Sequence, residues 1–385
     1  MILKEDGSVW SAGFNRKGQL GDCSTKGSFK FLRVITSDVK AVAAGSDYSM
    51  VLKQDGSVWA TGQNEYGQLG DGSKWVRRIF VKVVSSGAEG VTAGRYHSMV
   101  LKQDGSVWAT GRNNHGQLGD GTTISRNQFV RVVVADAKAV SAGEYHSMVL
   151  KQDGSVWMTG NNDFGQLGTA LVIENTAVFF KVVDSGVKYV AAGALHSLVL
   201  QEDNSVWGSG HNLFGQLGDG TSTSKKIFTP VNASGVLAVD GGVWHTMMVK
   251  QDGTAWAAGS NLHGQLGDRS TDDRAEFVRL KVRGVKAVAA GFGHSMVLAH
   301  DGSVWATGWN LYGQLGDGST SSSSMFVRVA KLTMRVVDGT ANGLPTELST
   351  TTIRPFATCE MCAILCIVCY LHALLSQSLC CTPPK

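Results

Sequence analysis

Five histidines, His97, His146, His196, His245 and His294, stand at one position of a recurring Gly-x-x-His motif. Imidazole is the commonest nitrogen ligand of protein-bound metals, so five copies could in principle ring a central ion. The same position holds Tyr48 in an earlier copy, and Ser or Thr follows it every time. A position that takes tyrosine for histidine points to a hydrogen bond that steadies a turn within its own segment, and no metal is expected. Seven carboxylates, Asp6, Asp55, Asp104, Asp153, Asp203, Asp252 and Asp301, recur just as regularly ahead of Gly or Asn. They read as residues of one repeated hairpin turn, not as a general-acid pair. The block Gly67-Gln68-Leu69-Gly70-Asp71-Gly72 returns at 116–121, 215–220 and 313–318. It could cradle a phosphate only between a strand and a helix N-terminus, and no helical pattern follows it. Its glycines read instead as positions of positive φ or close backbone approach. A catalytic nucleophile with its base and orienting group would be unique in the chain, and none is. No catalytic residue and no cofactor is expected.

The elements that must position these residues are set by a period. Trp10, Trp59, Trp108, Trp157, Trp207, Trp256 and Trp305 are spaced by 49, 49, 49, 50, 49 and 49 residues. Such regularity marks one supersecondary unit copied seven times, each copy burying its apolar face on its neighbours. In the third copy, Phe80–Val84, Gly90–Gly94, Ser98–Lys102 and Val107–Gly111 are short β-branched or apolar runs bounded by turn residues. Asp104-Gly105 between the last two suits a tight hairpin. Four antiparallel strands in each period predict an all-β fold, a seven-bladed β-propeller of four-stranded antiparallel blades over residues 1–342. Residues 343–385 form a short non-propeller C-terminal tail.

Composition agrees with turn-rich β structure, with 48 Gly but only 5 Pro in 385 residues. A net charge of +4 without a Lys/Arg run gives no footprint for nucleic acid. Only Cys23 lies in the repeats, so no disulfide can staple them and a reducing compartment is expected. Met1 to Asp6 lacks the apolar core of a secretory signal. The expected location is cytoplasmic, with the nucleus as the alternative.

The motifs Ala-Gly-x-x-His-Ser, Asp-Gly-Ser-Val-Trp and Gly-x-Asn-x-x-Gly-Gln-Leu-Gly resemble the repeat of the regulator of chromosome condensation family across residues 1–342. The resemblance implies a seven-bladed propeller that serves as a protein-protein interaction platform. That family includes a guanine-nucleotide exchange factor for the small GTPase Ran, propellers of HECT ubiquitin ligases and a plant UV-B photoreceptor. Exchange on a small GTPase, or substrate binding in a ubiquitin-ligase system, are the alternative functions, and the partner is a protein in each case. The sequence departs from the family in keeping its first-strand proline only as Pro230. The copy spacings leave no room for the exchange factor's inserted wedge. Trp244 alone answers to the photoreceptor's tryptophan cluster.

Function should lie where the copies differ. The two residues between Gly and His are Ser46-Asp47, Arg95-Tyr96, Glu144-Tyr145, Ala194-Leu195, Val243-Trp244 and Phe292-Gly293. By symmetry they emerge on one face of the disc, and Tyr, Trp and Arg are the types enriched at protein-binding hot spots. The candidate binding face is Asp47, Arg95, Tyr96, Glu144, Tyr145, Trp244 and Phe292. Tyr66, Phe164, Phe214 and Tyr312, each ahead of Gly-Gln-Leu-Gly, read as packing residues.

Two expectations concern the ends. The run 361–375 is apolar but shorter than the ~20 residues of a membrane-spanning helix. Four nearby cysteines (Cys359, Cys362, Cys366, Cys369) fall on one helical stripe, and Cys380-Cys381 could accept palmitate. The tail is thus a disordered terminus or a marginal membrane contact. Met1-Ile2-Leu3 aligns with Met50-Val51-Leu52, so the chain starts inside a blade, and residues 326–339 are expected to supply the strands that complete it.

Overall fold

Each copy folds as its turn residues dictate. In the third, the Asp104 carboxylate accepts the backbone N–H and the hydroxyl of Ser106 (2.9 and 2.6 Å), with Gly105 at φ +74°. Trp108 then donates its indole N–H to Ser106 Oγ at 3.0 Å, and the Lys102 ammonium sits 4.6 Å from the ring centre. The hairpin built this way pairs His97–Lys102 with Val107–Gly111, Met99 opposite Ala109. The strand Ala88–Ala93 adds on one side and Arg126–Val133 on the other.

Repeated along the chain, this gives seven blades, in residues 2–35, 39–84, 88–133, 137–183, 187–230, 236–279 and 285–331. The structure, a computed structural model, describes residues 1–171 and 174–331. Blades 2 to 7 are four-stranded antiparallel sheets with strands in chain order. Blade 1 has three strands among the described residues, Ile2–Leu3, Val9–Gly13 and Ser28–Ile35. No helix occurs among the described residues. The tail at 343–385, with its cysteines and apolar run, lies outside them.

The core lies between blades. Met50, Leu52 and Leu69 of blade 2 are fully buried in one cluster with Val100 and Phe129 of blade 3. An outer-strand phenylalanine packs at every seam on the second glycine of the preceding blade's Gly-Gln-Leu-Gly loop. Phe80 lies on Gly21, Phe129 on Gly70 and Phe326 on Gly267, where a Cβ would stand 2.4 Å from the ring. At those three glycines φ is +75°, +77° and +65°, so each position demands glycine twice over, by conformation and by contact.

The closing strand differs from expectation. Ser323–Lys331 is the outer strand of blade 7, antiparallel to Ser303–Gly308 with Val327 opposite Ala306. Residues 326–331 therefore complete their own blade and not blade 1. Every outer strand follows its own blade's Gly-Gln-Leu-Gly loop, and blade 7 obeys the same rule. Residues 332–339 lie outside the described residues. Ile2 and Phe31 of blade 1 join the cluster of Met296, Leu298 and Leu315 in blade 7, and this apolar seam closes the ring.

Candidate protein-binding face

Two sets of loops share one face of the disc. The Gly-x-x-His turns join each inner strand to the second strand, and the Asn-x-x-Gly-Gln-Leu-Gly loops join the third strand to the outer one. The Asp-Gly-Ser hairpins occupy the opposite face.

The histidines are buried and serve the seams. His97 Nε2 lies 2.9 Å from Ser147 Oγ, His146 Nε2 2.9 Å from Ser197 Oγ, and His245 Nε2 2.9 Å from Ser295 Oγ. His196 faces Thr246 Oγ1 at 3.0 Å. Each partner belongs to the following blade, which corrects the expectation of a bond within the histidine's own blade. Ser147 Oγ–H in turn donates to the Gln117 carbonyl at 2.7 Å, so its oxygen must receive the proton of His97 Nε2. The network assigns the Nε2–H tautomer, and the Nδ1 atoms of His97, His146, His196 and His245 have no hydrogen-bond partner among the described residues. Burial pushes His97 down to about 4 and the other four to about 3, so all are neutral. Tyr48 fits because its longer side chain also reaches the next blade, donating to the His97 carbonyl at 2.6 Å. The motif's glycine yields to the ring, for a Cβ on Gly94 would stand 2.5 Å from His97 Cε1.

The side chains that vary assemble into an aromatic collar around the central channel. Arg95 pairs with Glu144, and its Nη1 lies 3.1 Å from Tyr145 OH. Arg112 stands 5.0, 5.8 and 5.4 Å from the ring centres of Tyr66, Tyr96 and Tyr145, and Tyr66 and Tyr96 are 5.2 Å apart. Farther round, Trp244 meets His211 at 5.2 Å and Phe214 at 5.5 Å, with Phe164 against His211 at 4.8 Å. Trp309 stacks on His263 at 5.5 Å and meets Phe292 at 5.7 Å and Tyr312 at 5.6 Å; Phe14 lies 4.9 Å from Tyr312.

The structure thus brings Arg95, Tyr96, Glu144 and Tyr145 into one group, and places Trp244 and Phe292 in two others. None of the seven candidates belongs to the apolar clusters between blades among the described residues. Asp47 accepts Gln19 Nε2 at 2.9 Å beside the Lys17–Glu65 ion pair, within the electrostatic reach of Arg95. Burial pushes its carboxyl up to about 6, against the pull of Lys17. Sequence reasoning missed Arg112, His211 and Trp309, and took Tyr66, Phe164, Phe214 and Tyr312 for packing alone. The middle residue of Gly-x-Asn was the available signal, for it reads Phe14, Gln63, Arg112, Asn161, His211, Ser260 and Trp309 around the ring.

Comparison with known proteins agrees with this geometry. The family model described as Regulator of chromosome condensation (RCC1) repeat matches residues 6–52, 55–101, 104–150 and 153–200. A second model of that description matches 39–68, 89–117, 137–166, 187–216 and 285–314. The chain belongs to the regulator of chromosome condensation repeat family, as the resemblance of its motifs implied. Among solved structures, human WBSCR16 aligns with a TM-score of 0.75 and 22% identity, over 84% of this chain and 94% of that one. Yeast RCC1 (Prp20), solved with Kap60 bound, aligns at 0.75 and 19%, over 86% and 85%. Prp20p from Saccharomyces cerevisiae, described with its binding to Gsp1p and histones, aligns at 0.73 and 21%, over 86% and 88%. At these identities the likeness shows the fold. No curated protein sequence matches the chain.

Proposed function

We propose that the protein is a protein-binding platform whose recognition face is the collar of Gly-x-x-His and Gly-x-Asn side chains. The carrying observation is the half-buried group of Arg95, Arg112, Tyr66, Tyr96 and Tyr145, drawn from several copies onto one surface. Rigid aromatics and arginine are the residues that anchor interfaces, because they bury much area while losing little side-chain freedom. The test is affinity capture with the wild-type chain, with a variant carrying Tyr96→Ala, Tyr145→Ala and Trp244→Ala, and with a variant altered only in the Asp-Gly-Ser hairpins. A partner held by this face is lost from the first variant and kept by the second. Equal capture by all three removes the assignment.

A finer reading, guanine-nucleotide exchange on a small GTPase, is supported by the likeness to Prp20p, which binds Gsp1p. Exchange needs no covalent chemistry from the propeller, only a surface that holds the GTPase with its nucleotide site opened. Release of a fluorescent nucleotide from a captured GTPase, accelerated by the wild type and not by the collar variant, is the expected result. A captured ubiquitin-system protein would favour the third reading instead.

A further inference from the structure

The inner strands leave a channel whose mouth, within the collar, opens into a cavity of about 330 Å³. That is room on the order of ten water molecules. Its walls are mostly Gly, Ala and Ser, and three ionisable side chains line it: Arg95, Glu144 and Asp240. Arg95 and Glu144 pair with one another. Asp240 lies on the inner strand Val236–Gly241 of blade 6, where the other inner strands carry Ala43, Thr92, Ser141, Ala191 and Ala289. Its Oδ2 accepts the Ala290 N–H at 2.8 Å. Ser141 does the same for Ala192 at 2.9 Å without charge, so this strand edge does not require a carboxylate. No Lys, Arg or His among the described residues forms an ion pair with Asp240. Burial pushes its carboxyl up to about 7.

Trp244 and Phe292, from the turns that follow this inner strand and the next, line the same cavity. A carboxylate with no ion-pair partner, in a cavity that two aromatic side chains also line, favours a cation, since ring faces and carboxylate can attract it together. Guanidinium suits the recess better than ammonium, being planar, able to stack and more weakly hydrated. We propose that the channel mouth is a socket for one arginine side chain of a protein partner, with Asp240 as countercharge and Trp244 and Phe292 as aromatic walls. This rests on the platform reading above and adds the chemistry that the partner must present.

The test titrates the full chain calorimetrically with N-acetyl-arginine N-methylamide and with its citrulline and lysine counterparts. Citrulline keeps the shape of arginine and lacks the charge, so it is expected to bind roughly tenfold to a hundredfold more weakly. Asp240→Asn can still accept the Ala290 N–H, so the fold is kept while the arginine probe weakens by a similar factor; Trp244→Ala weakens it several-fold. Equal binding of arginine and citrulline, an unaffected Asp240→Asn variant, or no arginine binding at millimolar concentration would overturn the socket, and a preference for lysine would overturn its assignment to arginine. A partner whose capture needs Tyr96 and Tyr145 but survives Asp240→Asn sinks the socket alone. One that survives the loss of Tyr96 and Tyr145 as well sinks the platform face.

Discussion

Phe31 of the first blade lies on Gly316 of the seventh, where a Cβ would stand 2.3 Å from the ring. It is the same contact that joins every other pair of neighbours, but the chain does not run continuously across it. Blade 1 is held against blade 7 by this packing, by the Gly318 N–H to Phe29 carbonyl bond at 2.8 Å and by the bridge between Lys30 and Asp317.

Gly316→Ala should therefore loosen the ring closure in a way that its equivalents elsewhere do not. Either Gly316→Ala or Gly70→Ala forces a side chain into an aromatic ring at positive φ, with an expected loss of about 1–3 kcal/mol. Only the first frees the chain ends from one another. Thermal melts should fall for both variants, and limited proteolysis should accelerate in blade 1 only for Gly316→Ala. Identical cleavage patterns would show that the seam does not govern closure.

Five buried histidines make stability depend on pH. Their folded values are depressed, to about 4 for His97 and about 3 for the rest, against 6.5 for the free side chain. The contribution is complete above pH 6.5 and is lost as pH falls from there toward 4 for His97 and toward 3 for the other four, because the unfolded chain takes up protons that the folded one refuses. Each histidine steepens the loss by about 1.4 kcal/mol per pH unit at most. Denaturant unfolding between pH 4.5 and 7.5 should show uptake of several protons, and His146→Tyr, which repeats the residue choice at Tyr48, should reduce it by one. A flat profile would contradict the burial of these rings.

Arg112 should matter to both stability and binding. Its guanidinium lies within 6 Å of three tyrosine rings, and such contacts are worth about 0.5–1 kcal/mol each at partly exposed sites. Arg112→Ala is expected to cost about 1 kcal/mol in unfolding and to weaken a collar-bound partner by more than about 2 kcal/mol. Arg112→Lys should recover little of the binding, since ammonium does not stack. Full partner affinity in Arg112→Ala would place recognition elsewhere.

The architecture was legible because each copy carries its own turn chemistry. Asp104-Gly105-Ser106 fixes a hairpin and Gly70 fixes a seam, each through local conformation. The partner of His97 was not legible. Ser98 beside it and Ser147 in the next copy are the same residue type one period apart, and only the rotation between blades decides which hydroxyl the ring reaches. The collar was hidden for a related reason, since Arg112, Tyr66 and Tyr145 come from different copies and different motif positions. Closure by Phe31 and Gly316 needs both ends of the chain at once, and adding one period to a glycine position pointed to the wrong strand.

Ser106→Ala offers a test confined to one hairpin. It removes the acceptor of the Trp108 indole N–H and one bond to the Asp104 carboxylate. The expected cost is about 1 kcal/mol, and parallel changes in distant blades should add nearly linearly. A red shift of tryptophan emission should accompany it. A cost near zero would mean that the indole bond is made equally well to water.

The hydroxyl of Ser147 accepts a hydrogen bond from the copy before it and donates its own to that same copy. Four joints are built this way, from blade 3 to blade 7, and every joint of the ring sets a glycine of one copy against a phenylalanine of the next. A segment of one period can then be excised or inserted among blades 3 to 7 without a mismatched joint, for the flanking copies still offer imidazole to hydroxyl and glycine to phenylalanine. Blade number is thus written in no single residue. A lineage can gain or lose ring members by unequal recombination among near-identical segments while each new joint still sets glycine against phenylalanine.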